Sequence, residues 1–153
     1  MKILFLLKKK AAYSCGYDRT AASGLFNSAK FVADMLNAAG VKAKVEEVVD
    51  NNSIDKAVHD YRPNVAVIEA LWVVPEKFDI LKKFHPSVRW IVRLHSDIPF
   101  LAGEGIACDW IFGYLKTKRY IPPWGALYFT RNQVGLGWDR EVIAELHRRA
   151  RLH

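Results

Sequence analysis

The chain has 153 residues, of which 51% are hydrophobic and 25% charged, so its size and composition predict one globular domain with a real core. Every apolar run ends well before the roughly 18 residues that a membrane-spanning helix needs, so we expect no membrane insertion. The net charge is +7, and residues 116–153 contribute +5 of it, with 8 Lys/Arg and 3 Asp/Glu.

The N-terminal residues 2–7 form a continuous apolar run, which is typical of a strand buried on both faces of a sheet. This run is shorter than a signal peptide core, and three lysines rather than a cleavage site follow it at residues 8–10. Cys15 and Cys108 lack the spacing of a metal site. We therefore expect reduced thiols in a cytoplasmic protein, with no metal and no cofactor.

Strand-like and helix-like segments alternate along the next hundred residues. A polar segment leads to an amphipathic helix that begins at Ser23-Gly24 and stops near Gly40. Further strands are predicted at residues 41–49, 65–71, 88–94 and 107–115, with helices at residues 54–61 and 75–84. This βαβ alternation predicts a three-layer α/β domain with a mainly parallel sheet, in which residues 2–7 lie centrally and residues 41–49 nearer an edge.

The regular pattern ends near residue 115. Residues 116–137 are rich in proline, glycine and aromatic side chains, and residues 138–152 show the periodicity of an amphipathic terminal helix. We expect residues 1–115 to form the α/β domain and residues 116–153 to pack on it or on a second copy. The basic charge of this tail suits an anionic partner or a solvated helix face, although no known motif supports nucleic-acid binding.

Polar residues follow the strand at residues 88–94. His95, Ser96 and Asp97 come directly after Leu94, and Glu104 follows between two glycines. Ligands of parallel α/β sheets bind beyond the carboxyl ends of the strands, so this pattern predicts a polar ligand site. His95 and Asp97 are candidates for a general base and its orienting carboxylate, with Ser96 and Glu104 as ligand-binding residues. A simple polar turn is the alternative interpretation.

Two other features bear on the same edge of the sheet. Ser23 and Gly24 open a helix whose free N–H groups favour an anionic or hydroxyl-rich ligand, although an ordinary helix cap has the same sequence. Glu69 is a carboxylate near the end of an apolar strand, and Arg89 and Arg93 lie in the next strand. An arginine in a buried strand needs a partner, for which Glu69 is a candidate; an exposed edge position is the alternative.

The run at residues 2–7, the Ser23-Gly24-Leu25 helix start with its stop at Gly40, and the segment His-Ser-Asp-Ile-Pro-Phe at residues 95–100 resemble one known family. They are similar to the N-terminal, Rossmann-like half of GT-B glycosyltransferases, and most of all to phage-encoded members. The resemblance covers roughly residues 1–115. It implies that this half holds the acceptor in a cleft facing a second domain, which binds the nucleotide-sugar. It also implies that His95 matches a histidine near the reacting centre.

The sequence departs from that family in its length. GT-B enzymes use two Rossmann-like domains, whereas 153 residues hold one, and the donor-binding elements are not found here. Two functions therefore stay open. One is an acceptor-side half that binds a sugar or nucleotide-sugar-related molecule and acts with a second domain or subunit. The other is a non-catalytic binding or interaction module that acts through the cleft or the basic tail. Whether the chain is an enzyme also stays open.

Overall fold

The structure, a computed structural model, describes residues 1–9, 24–95, 106–116 and 127–128. Within these ranges the chain forms strands and helices in the order β1 (Lys2–Lys8), α1 (Gly24–Ala38), β2 (Lys42–Val48), α2 (Ser53–Tyr61), β3 (Val65–Glu69), α3 (Lys77–Phe84), β4 (Arg89–Arg93), α4 (Ile106–Lys116) and β5 (Leu127–Tyr128). The predicted fold class is confirmed: this is an α/β domain with a parallel sheet.

The strands lie in the order β2-β1-β3-β4-β5, and every neighbouring pair is parallel. β1 is an interior strand and its five consecutive residues from Ile3 to Leu7 are buried, which explains its continuous apolar run. β2 is an edge strand and alternates apolar with charged residues, as predicted. This order is one of the two common orders of doubly wound folds, in which the crevice for a ligand opens where the strand order reverses.

The helices cover the two faces of the sheet unequally. Of the helices in the described ranges, only α1 packs on one face, called here the α1 face, where Ala29 and Ala33 bury against Ile3, Phe5 and Val67. The opposite face, the three-helix face, packs against α2, α3 and α4. Its core is larger and contains Leu4, Ile54, Ile68, Phe78, Leu81, Trp90, Ile111 and Tyr114. The sheet therefore separates two cores of different size.

One predicted element is wrong. The sequence predicts a strand at residues 107–115, but Ile106–Lys116 forms the helix α4. Its buried residues Ala107, Ile111 and Tyr114 are spaced at four and three, which is the period of a helix face. The run is rich in aromatic and β-branched residues, so local composition favours a strand, and packing against the three-helix face overrides that preference.

None of the helices in the described ranges combines the length and the apolar composition that a bilayer crossing requires.

Other predictions concern residues that the structure does not describe. The predicted terminal helix at residues 138–152 and its packing lie outside the described residues, so the expected boundary near residue 115 stays a prediction.

Candidate functional site

The site begins with two charged residues that face each other across neighbouring strands. Glu69 is the last residue of β3 and Arg93 is the last residue of β4, and the two are direct partners in the parallel register. Side chains alternate along a strand, so Glu69 shares the α1 face with Val65 and Val67. Both side chains therefore lie at the carboxyl edge of the sheet, beneath α1.

Four side chains form a connected group at this edge, named here the edge network: Ser28, Glu69, Arg93 and His95. Arg93 Nη1 donates to Glu69 Oε1 at 3.1 Å, and Arg93 Nη2 donates to Ser28 Oγ on α1 at 2.6 Å. His95 Nε2 is hydrogen-bonded to the other carboxylate oxygen, Glu69 Oε2. Each oxygen of Glu69 thus has its own partner, and the guanidinium links the sheet to α1.

Burial differs sharply within the edge network. The Glu69 side chain has no exposed surface, whereas Arg93 and His95 keep 23% and 17% of theirs. A buried carboxylate is costly unless it is paired and hydrogen-bonded, and these two side chains pair it. The buried carboxylate is therefore the anchor of the network, and the partly exposed arginine and histidine are the groups that a ligand can reach.

The backbone around Glu69 is fixed by further hydrogen bonds. Ala70 adopts a left-handed conformation, with φ of 69°, and its N–H donates to the carbonyl of Arg93 at 2.8 Å. Trp72 Nε1 donates to the carbonyl of Glu69 at 3.0 Å. A left-handed alanine costs about 1–2 kcal/mol, and such strained residues cluster at functional sites. The chain turns sharply at this edge and holds Glu69 against β4.

The arrangement has the chemical parts of a general base. A neutral histidine can take a proton from a hydroxyl group, and a carboxylate on its other ring nitrogen orients the ring. In the edge network Glu69 has the orienting position. The Ser28 hydroxyl accepts from Arg93 and retains its own proton to donate.

The predicted site residues have different outcomes. His95 lies at the carboxyl edge as expected, and its described carboxylate partner is Glu69. The predicted pairing of Arg93 with Glu69 is present, whereas Arg89 is exposed at the start of β4. Gly24 is the first residue of α1, one turn before Ser28, and space around it is open. Four predicted residues lie outside the described ranges: Ser23, Ser96, Asp97 and Glu104.

Sequence reasoning missed Ser28. A single hydroxyl in an amphipathic helix gives no signal of its own, and only the fold shows that it meets Arg93. Within the described ranges no group of three or more His, Cys, Asp or Glu side chains is arranged to hold a metal ion.

Comparisons with protein-family models, with curated proteins and with solved structures find no match for this chain. The fold and the site together define a class: a doubly wound, Rossmann-like α/β domain with a buried-carboxylate network at the carboxyl edge of its sheet.

Proposed function

We propose that the carboxyl edge of β3 and β4 binds a hydroxyl-bearing, sugar-like small molecule, and that His95 acts there as a general base in glycosyl transfer. The observation that carries this proposal is the bond between the partly exposed His95 imidazole and the fully buried Glu69 carboxylate. The resemblance to the acceptor half of GT-B glycosyltransferases supports the same assignment. A cytoplasmic location belongs to this proposal.

The proposed reaction joins an acceptor hydroxyl to the anomeric carbon of a nucleotide-sugar. The hydroxyl oxygen forms the new glycosidic bond, its proton passes to His95, and the bond to the nucleotide diphosphate breaks, so that the diphosphate leaves with the electron pair. General base catalysis of this kind contributes about 10²–10⁴-fold. A second domain or a partner subunit supplies the donor site in this proposal.

A second candidate is a non-catalytic binding or interaction module that uses the same edge or the basic tail. One observation favours it: Arg93 bonds both Glu69 and Ser28, so the network also fixes α1 to the sheet, as a purely structural ion pair does. Such a module needs no base, and if it acts through the basic tail, loss of His95 leaves its binding unchanged.

Ligand binding is tested with ¹⁵N-labelled protein titrated with glucose, UDP-glucose and UDP. We expect chemical-shift changes at His95 and at residues 24–28, and a Kd about two- to tenfold weaker for His95→Ala, because a hydrogen bond to a neutral group contributes about 0.5–1.5 kcal/mol. The matched control is His85→Ala, which removes a histidine paired with Asp55 at 2.8 Å on the three-helix face. Shifts confined to the basic tail, residues 116–153, would favour the binding module instead.

A further inference from the structure

The orientation of His95 identifies which of its nitrogens faces a ligand. Nε2 is the atom bonded to Glu69 Oε2. An ionised carboxylate only accepts hydrogen bonds, so in the neutral imidazole the proton on Nε2 points at Glu69 and Nδ1 carries the lone pair. Nδ1 is then the proton-accepting atom.

We propose that Arg93 is the positioning residue of this site. Arg93 compensates the charge of Glu69 and holds its Oε1 atom. The Oε2 atom of Glu69 is then left to accept from His95 Nε2, which keeps Nδ1 unprotonated. This inference rests on the proposed function, because it assigns the basic atom of the same site. Arg93 acts through Glu69 and needs no contact with the ligand.

The geometry of the guanidinium supports this role. Its two terminal nitrogens are held at opposite ends of the network, Nη1 by Glu69 and Nη2 by Ser28. The first contact occupies Oε1, which leaves Oε2 for His95. The second contact fixes the guanidinium itself, because Ser28 belongs to α1. Arginine forms two such directed bonds from one rigid planar group, whereas lysine brings only a point charge on a flexible stem.

The test uses free protein and reads the tautomer of His95 directly. In protein labelled with ¹⁵N-histidine, two-bond ¹H–¹⁵N correlations recorded on the neutral form of the ring distinguish the protonated from the unprotonated ring nitrogen. We expect the wild type to show a proton on Nε2 and a bare Nδ1. Arg93→Met is expected to lose this single tautomer and show both. Arg93→Lys is expected to restore it only in part, because the charge returns without the two directed bonds of the guanidinium.

The matched control is Arg89→Met, which removes an exposed arginine from the same strand and is expected to leave the His95 spectrum unchanged. If Arg93→Met does not fold, Ser28→Ala is the second variant: it frees one end of the guanidinium without leaving a buried charge unpaired. A partial appearance of the second tautomer in Ser28→Ala supports the proposal.

Two results would overturn the proposal: a proton on Nδ1 in the wild type, or an unchanged tautomer in the variants that fold. These results are independent of ligand binding, since no ligand is present. If the sugar titration shows no binding but the tautomer pattern is as expected, only the proposed function is contradicted. If the sugar binds but Arg93→Met leaves the tautomer of His95 unchanged, only the role of Arg93 is contradicted.

Discussion

In the part of the chain that the structure describes, each face of the sheet carries one histidine bonded to a carboxylate, but in different surroundings. On the α1 face, Glu69 has a side chain without exposed surface and bonds both Arg93 and His95. On the three-helix face, Asp55 keeps 51% of its side-chain surface exposed and bonds His85 alone. A histidine–carboxylate pair therefore serves as a buried anchor on one face and as a surface link between α2 and the end of α3 on the other.

This difference shows that the burial of each pair depends on the position of its carboxylate in the fold, since both pairs contain a histidine. Glu69 ends an interior strand, so the register with β4 and the turn at Ala70 keep its side chain in the protein interior. Asp55 lies in the first turn of α2, where water solvates its charge and a negative group is favourable beside the helix N-terminus. We therefore expect the two pairs to differ in energy, and only the buried one to constrain a site.

The largest expected effect comes from removing each carboxylate in turn. Glu69→Ala leaves Arg93 without its carboxylate and opens a cavity, and we expect the free energy of unfolding to fall by about 3 kcal/mol. Asp55→Ala removes an exposed partner and is expected to cost less than about 1 kcal/mol. Urea denaturation at neutral pH measures both values. Equal losses for the two variants would contradict the distinction between the faces.

A second expected effect concerns packing on the three-helix face. A methyl group added at Gly113 of α4 would lie 2.6 Å from Cγ of Pro75, whose ring cannot move aside. Overpacking costs about 1–3 kcal/mol and the gain in helix propensity returns up to about 1 kcal/mol, so we expect Gly113→Ala to destabilise the protein by about 1–2 kcal/mol.

The control for this prediction lies on the α1 face. A methyl group at Gly24 meets no atom within 4 Å. Gly24→Ala is therefore expected to leave the thermal midpoint unchanged or to raise it, since alanine favours a helix more than glycine does. A Gly113→Ala variant as stable as Gly24→Ala would show that α4 does not pack against Pro75 as described.

Much of the fold could be predicted from the sequence because the burial of each strand and helix determines the pattern of its apolar residues. The interior strands are continuous apolar runs, and α1 has a helical stripe that ends before Gly40, where the φ of 81° suits glycine. The prediction fails at α4 because aromatic and β-branched residues favour strands locally, whereas the choice between strand and helix there depends on contacts distant in sequence.

The site was predictable only in part, for a similar reason. A carboxylate in one apolar strand and an arginine in the next make a buried pair one of two interpretations of the sequence, and the structure decides against the exposed edge position for Arg93. Sequence spacing favours Asp97 as the partner of His95, since it compares only residues close in the chain. The bond to Glu69 spans 26 residues and depends on the register of β3 with β4. Ser28 depends in turn on where α1 crosses the sheet.

The smallest expected effect is a difference in pH dependence on the three-helix face. The Tyr114 hydroxyl donates to the carbonyl of Val73, and burial, with a smaller contribution from the charge of Glu76, raises the pKa of Tyr114 above its ordinary value of 10.0. The folded protein therefore keeps this proton at a pH where the unfolded chain loses it. The associated stability is fully present below about pH 10 and falls by up to about 1.4 kcal/mol per pH unit above it.

Tyr114→Phe removes this dependence. We expect the variant to be less stable than the wild type by about 1 kcal/mol at neutral pH, because the Val73 carbonyl loses its donor, and this deficit should shrink as the pH rises past about 10. Urea midpoints at neutral and alkaline pH measure the change. Tyr61→Phe, which removes a hydroxyl bonded to the Lys42 carbonyl, controls for general effects of alkali. Parallel curves for the wild type and Tyr114→Phe would mean that the Tyr114 hydroxyl is solvated and would contradict its burial against the Val73 carbonyl.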